Sequence, residues 1–186
     1  MKRISLRTAS VRATVLALAI ACGVAGCGSG SKPMRTVNMD ASWAVTYSSV
    51  RDLKTHADLV VQGRITKVLG QSVVKTSYVT TDFEFTVSAA VQDAKGLVAK
   101  NGGALRVHQT GGILNNVRYQ IHDDPLLNVG DESVLFLREY KPGFFMIIGG
   151  PTGRFGVKNG QVSTVGDGGV KASGPVNTFI ANVKGS

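Results

Sequence analysis

Cysteine is nearly absent from this chain: 186 residues hold two, Cys22 and Cys27, with none after them. That excludes a disulfide framework or a thiolate metal site in any domain downstream. Histidine is almost as scarce, with His56, His108 and His122 only. These three show no H-x-x-x-H spacing, and Asp123, Asp124, Asp131 and Glu132 do not alternate as calcium-loop acids do. They read as turn and surface residues, so no metal ligand is assigned. No G-x-S-x-G elbow occurs, and the glycine pairs at 102–103, 111–112 and 149–150 do not lead from a strand into a helix through Lys-Ser/Thr. No catalytic residue and no cofactor is assigned, and the chain is expected not to be an enzyme.

Long apolar runs are missing as well. Ala13–Val24 is almost wholly apolar but too short to span a bilayer. Acid is absent before it, where Lys2, Arg3, Arg7 and Arg12 stand. A basic segment followed by a short apolar one is the pattern of an export signal, expected over 1–26. It ends in Val24-Ala25-Gly26-Cys27, which resembles the bacterial lipobox: an aliphatic residue, two small ones, then cysteine. The resemblance implies cleavage between Gly26 and Cys27, with diacylglycerol and a further palmitate-type chain on Cys27. Cys22 is a poorer acceptor, because Ala19 stands where an aliphatic residue is wanted. Two or more acyl chains hold a protein stably on a membrane. The expected location is therefore the extracytoplasmic face of the cell membrane, with lipid as a partner.

The formal charge of +9 loses four basic residues and no acid with such a signal, leaving +5. The remaining Lys and Arg are scattered, so nucleic acid is not expected as a partner. Residues 27–42, with Gly, Ser, Lys and Pro, read as an acylated cysteine and flexible tether, and 43–186 as one β-rich domain.

Trp43, Val45 and Tyr47 predict either a short strand or a segment docked on the domain. Ser49 with Asp52 three residues on predicts an N-cap and a helix over 49–57. Leu59, Val61, Gly63 and Ile65 alternate with polar residues as a strand, ended by a turn at Gly70-Gln71-Ser72. Tyr78 to Val91 is the clearest strand, with Phe83, Phe85, Val87, Ala89 and Val91 on one face. Leu105 and Val107 face inward and Arg106 and His108 outward on a third; Val117, Tyr119 and Ile121 mark another. Ser133 to Tyr140 is apolar on both faces and predicts a covered, central strand. Lys141-Pro142-Gly143 turns it into Phe144–Ile148, and Asn159-Gly160 predicts a second hairpin. Residues 166–174 read as a mobile glycine-rich connection, and 177–183 as a closing helix with Phe179, Ile180 and Val183 on one face. The fold class expected is all-β, mainly antiparallel: a small OB-like barrel with one short N-terminal helix and a possible C-terminal one.

The order of segments carries a further resemblance. Ala57-Asp58-Leu59-Val60-Val61-Gln62-Gly63-Arg64-Ile65, then Phe85-Thr86-Val87 to Lys95-Gly96, Gln109-Thr110-Gly111-Gly112, Val129 to Leu137 and Gly150-Pro151-Thr152-Gly153-Arg154-Phe155 resemble a group of uncharacterised secreted bacterial proteins and lipoproteins. The same order is more faintly similar to the netrin-type barrel of tissue metalloproteinase inhibitors. Those inhibitors act through a free N-terminal cysteine in a disulfide-bonded domain, which this chain does not match.

Phe144 to Ile148 admit two readings: burial on both faces, or exposure of Phe144 and Met146 as an apolar binding patch bordered by Arg154 and Phe155. The function expected is a non-enzymatic, lipid-anchored envelope module binding a protein, a peptide or a wall polymer. A protease inhibitor presenting residues 111–132, or an enzyme with an unfamiliar site, are the alternatives.

Overall fold

A computed structural model describes residues 34–75, 78–166 and 169–186. The expected signal, the lipobox with Gly26 and Cys27, and residues 27–33 of the expected tether lie outside the described residues. The elements are, in chain order, β1 (Arg35–Met39), α1 (Val50–His56), β2 (Leu59–Lys75), β3 (Tyr78–Gln92), α2 (Leu97–Lys100), β4 (Ala104–Thr110), β5 (Gly112–Leu114), β6 (Val117–Ile121), β7 (Glu132–Lys141), β8 (Phe144–Ile147), β9 (Arg154–Lys158), β10 (Gln161–Thr164), β11 (Ser173–Pro175) and α3 (Val176–Gly185). The all-β class and the short N-terminal and C-terminal helices are as expected. Most strand pairs are antiparallel, while β1–β6 and β4–β8 are parallel. No helix among the described residues is long and apolar enough to cross a membrane.

Five strands close a ring. β2 pairs with β3, β3 with β4, β4 with β8, β8 with β7, and β7 again with β2. Strand alternation then sorts side chains inside and outside. On β7, Leu135 and Leu137 join Phe83, Phe85, Leu105, Val107 and Phe145 inside the ring, while Val134 and Phe136 face out. The outward set is covered by α1 and α3: Leu53, Phe179 and Val183 bury Val60, Phe136 and Phe155 in a second core. That is why β7 is apolar on both faces. Each fully buried Phe or Leu contributes roughly 1.5–3 kcal/mol of transfer free energy, so the two cores hold the fold without disulfides.

Local rules account for most of the elements. Asp52 N–H donates to Ser49 Oγ at 3.1 Å and starts α1. Asn159 and Gly160 take φ of 52° and 72°, the left-handed pair that a two-residue hairpin needs. Unexpectedly, α2 forms after β3 because the Asp93 carboxylate accepts from Leu97 N–H at 2.7 Å and Val98 N–H at 3.0 Å.

Four expectations are corrected. Residues 35–39 are not tether but β1, paired along its length with β6. Gly70-Gln71-Ser72 is not a turn; β2 runs through it with shifts of register, and the chain reverses after Lys75. Residues 166–174 are not a loose connection throughout: Val170 is buried, Ala172 N–H donates to Thr164 Oγ1 at 2.8 Å, and Ser173–Pro175 pairs with β10. Trp43 to Tyr47 forms no strand but docks, as the second reading had it, with Tyr47 buried in the outer core.

Candidate functional site

β8 alternates. Phe145 and Ile147 are buried in the ring, Phe144 is half-buried, and Met146 is 42% exposed. Burial on both faces is thus corrected in favour of an outward Phe144 and Met146. β8 is four residues long and lies between β4 and the end of β7, so its outer face continues onto theirs. Register places Glu84, Arg106 and Phe144 in one cross-strand row, with Lys141 opposite Phe144 on the far side. The next row is Asp82, His108, Met146 and Arg138.

The shift of register between Glu139 and Lys141 gathers the β7 side chains over this face. Arg106 Cζ stands 4.6 Å from the centre of the Phe144 ring and Lys141 Nζ 3.7 Å from it. The ring is thus in contact with two cations, an arrangement that is attractive through its quadrupole. Tyr140 stands edge-on to Phe144 at 6.2 Å and tilted to His108 at 5.8 Å. Burial, then the charge of Asp82, raises the Tyr140 hydroxyl above its ordinary range, with Arg106 opposing. His108 Nδ1 lies 2.7 Å from Asp82 Oδ1. Such a face can pack apolar groups against Tyr140, Met146 and the edge of the Phe144 ring while offering cations at Arg106, Arg138 and Lys141 to anionic groups.

Of the four residues expected to border one groove, the structure brings Phe144 and Met146 together and takes Arg154 and Phe155 elsewhere. Arg154 is 4% exposed and donates from Nη2 to Pro125 O at 2.8 Å. Phe155 is fully buried between Phe136 and Phe179, at ring distances of 5.7 and 4.8 Å. The cause is the 3-10 turn Gly150–Gly153, after which β9 resumes along the other half of β7. The sequence pattern does not gather Arg106, His108, Tyr140 and Lys141 onto one face; the pairing of β4, β8 and β7 does. Alternation did put Arg106 and His108 outward, but the parallel β4–β8 pairing that sets them beside Phe144 leaves no local signal.

The remaining candidates do not converge. His56 is exposed on α1 with Nδ1 2.9 Å from Asp52 O, and His122 is exposed. Among the described residues no three His, Cys, Asp or Glu side chains gather as a metal site. Residues 111–132 do not project as a bare loop: they contain β5 and β6, and Leu126 and Leu127 plug the ring core. A cleft of about 730 Å³ between α1, β11 and α3 has Phe179 in its lining beside Thr164, Ser173, Thr178 and Asn182.

No protein-family model matches the chain, and no curated protein matches it.

Proposed function

We propose that this chain is a lipid-anchored protein of the cell envelope whose barrel is a non-enzymatic binding module. Its ligand is an anionic polymer of the wall, held across β4, β8 and the end of β7. The carrying observation is the Phe144 ring in contact with both Arg106 and Lys141 on an open strand face. A polymer with apolar ring edges and negative groups packs against Tyr140, Met146 and the edge of Phe144 while its charges meet the cations. A purely apolar peptide would leave the cations without use. The anchor and extracytoplasmic location are supported by the basic-then-apolar leader and Val24-Ala25-Gly26-Cys27.

Two measurements test the reading. Anionic wall polymer titrated against the full chain binds with salt-dependent affinity, and Phe144→Ala with Met146→Ala weakens it by about tenfold or more. Unchanged binding in that variant removes the site. Mass spectrometry of the N-terminal peptide finds acyl chains on Cys27, and Cys27→Ala leaves the membrane fraction. A bare thiol on an uncleaved chain removes the anchor.

A further inference from the structure

β2 and β3 are the longest strands, and the distal half of β2 leaves the ring together with the first residues of β3. β7 pairs with β2 only over Leu59–Arg64, and β4 with β3 only over Thr80–Thr86. Past Arg64, β2 runs on as an arm held to β3 from Lys67↔Glu84 to Lys75↔Tyr78, while β3 keeps β4 on its other edge as far as Thr80, so only Val73–Lys75 with Tyr78–Val79 lie beyond both limits. Among the described residues, the other edge of β2 has no strand on it past Arg64.

The arm is apolar where it is most exposed. Val68, Leu69, Val73, Val74 and Tyr78 are 51, 39, 52, 59 and 45% exposed. Val73 pairs with Val79, on the face that β5 covers, where Gly112 lies against Val79, Gln71 and Thr81. Tyr78 is the next residue and projects to the opposite face, its hydroxyl 3.4 Å from Thr110 Oγ1. The distal end therefore presents an exposed apolar or aromatic side chain on each face, Val73 on one and Tyr78 on the other. A groove on a protein covers one side of such a hairpin, whereas the boundary of a bilayer surrounds it.

The path of the chain points the same way. Arg35, the first residue of β1, pairs with Val117, and Val117 pairs with Leu114. The preceding residue, Ile113, is 39% exposed and is held to the arm through Gln71. With its amide turned to suit both groups, Gln71 donates to Ile113 O at 2.9 Å and accepts from Ile113 N–H at 2.8 Å. Seven residues lie between Cys27 and Arg35, eight steps of chain that span at most about 29 Å when fully extended. An acylated Cys27 thus holds Arg35 within about 29 Å of the lipid surface.

From this juxtaposition we infer that the β2–β3 arm is a second membrane contact: Val73, Val74 and Tyr78 enter the lipid boundary, with Tyr78 at headgroup level. The inference rests on the lipid-anchor reading for proximity. Tyrosine favours the headgroup zone because its ring is apolar and its hydroxyl is polar. Amphipathic segments that lie in this zone reach about 5–10 Å into it.

The test places a single tryptophan in the full chain, reconstituted through its own anchor into phosphatidylglycerol–phosphatidylcholine vesicles with brominated acyl chains. Trp43→Phe removes the native indole. Val74→Trp then reports from the arm, and Ala94→Trp from the exposed turn after β3 at the other end of that strand. Quenching and a blue shift at 74 but not at 94, both reduced by Val73→Asp, are expected. Equal quenching at both sites overturns the inference. A blue-shifted but unquenched Trp at 74 reports burial against protein, such as a second copy of the chain, and also overturns it. The mass of the Cys27 peptide is read separately. Acylated Cys27 with an unquenched arm removes the arm contact and keeps the anchor. Unmodified Cys27 with a quenched arm removes the anchor and keeps the arm contact, and failure of both removes both.

Discussion

The Arg154 guanidinium and the Asp124 carboxylate stand 3.5 Å apart, each with only 5% of its side chain exposed. Together with the bond from Arg154 to Pro125 O, they fasten the segment between β6 and β7 onto β9. Burial raises the Asp124 carboxyl and lowers the Arg154 guanidinium, and each charge opposes the shift of the other. Arg154 Nε and Nη1 have no hydrogen-bond partner among the described residues. Breaking such a pair leaves one buried charge uncompensated. Arg154→Met is expected to destabilise by about 3–5 kcal/mol, and Asp124→Leu with Arg154→Met by much less. Urea denaturation of the single and double variants checks this; additive losses would show that the two groups do not act as a pair.

Asp58 has the opposite sign to Asp124. Its carboxylate accepts from Lys95 Nζ at 2.7 Å and from Glu139 N–H at 3.1 Å, which lowers its pKa against a smaller opposing effect of burial. A lowered carboxyl contributes stability that is present above its unfolded value and lost as pH falls through the folded one. The raised Asp124 contributes stability that is present below its unfolded value and lost as pH rises through the folded one. Asp58→Asn should therefore flatten the loss of Tm on acidification below about pH 5, while Asp124→Asn should steepen it. Thermal melts followed across the acid range read both slopes.

Trp43 covers Gly150. That glycine has φ of 55°, and a Cβ there would overlap the indole ring. The indole Nε1 donates to Asp123 Oδ2 at 3.3 Å, so the ring also bridges from the segment after β1 to the segment after β6. Gly150→Ala should expel the indole and shift tryptophan emission to the red. The chain has a single tryptophan, so the signal is unambiguous. Emission unchanged from the wild type would show that the ring is not seated there.

Ser49 caps an exposed helix whose inner face holds Leu53. Ser49→Ala should cost about 1 kcal/mol, with Ser49→Asp retaining most of the stability. Equilibrium denaturation of the two variants separates the loss of the cap from a general effect of substitution.

The candidate face and the arm were legible to different degrees. Alternation in Leu105 to His108 is visible along the chain and correctly turns Leu105 and Val107 inward, whereas Phe144 to Ile148 is apolar throughout, so its pattern does not say which side chains face out. Arg154 follows a glycine-rich turn, the usual place for an exposed cation, yet it is buried. Its burial depends on Asp124, thirty residues earlier, and local pattern carries no sign of that pair. The arm was hidden because Gly70-Gln71-Ser72 has turn composition. Pairing with Asp82, Thr81 and Thr80 on β3 overrides that preference.

Composition and period alone determined the all-β class, the covered strand β7, the capped helix α1, the hairpin at Asn159-Gly160 and the absence of any disulfide after Cys27. All of these follow from interactions between residues near in sequence, or from residue types that are simply missing. Only the tertiary structure decided that the ring closes through the parallel β4–β8 pair, that β1 lies on β6, and that Arg106 and Lys141 meet over Phe144. Those contacts join segments 35 or more residues apart or turn on a shift of register, and hydrogen bonding between backbones leaves no mark on which distant side chains will face one another.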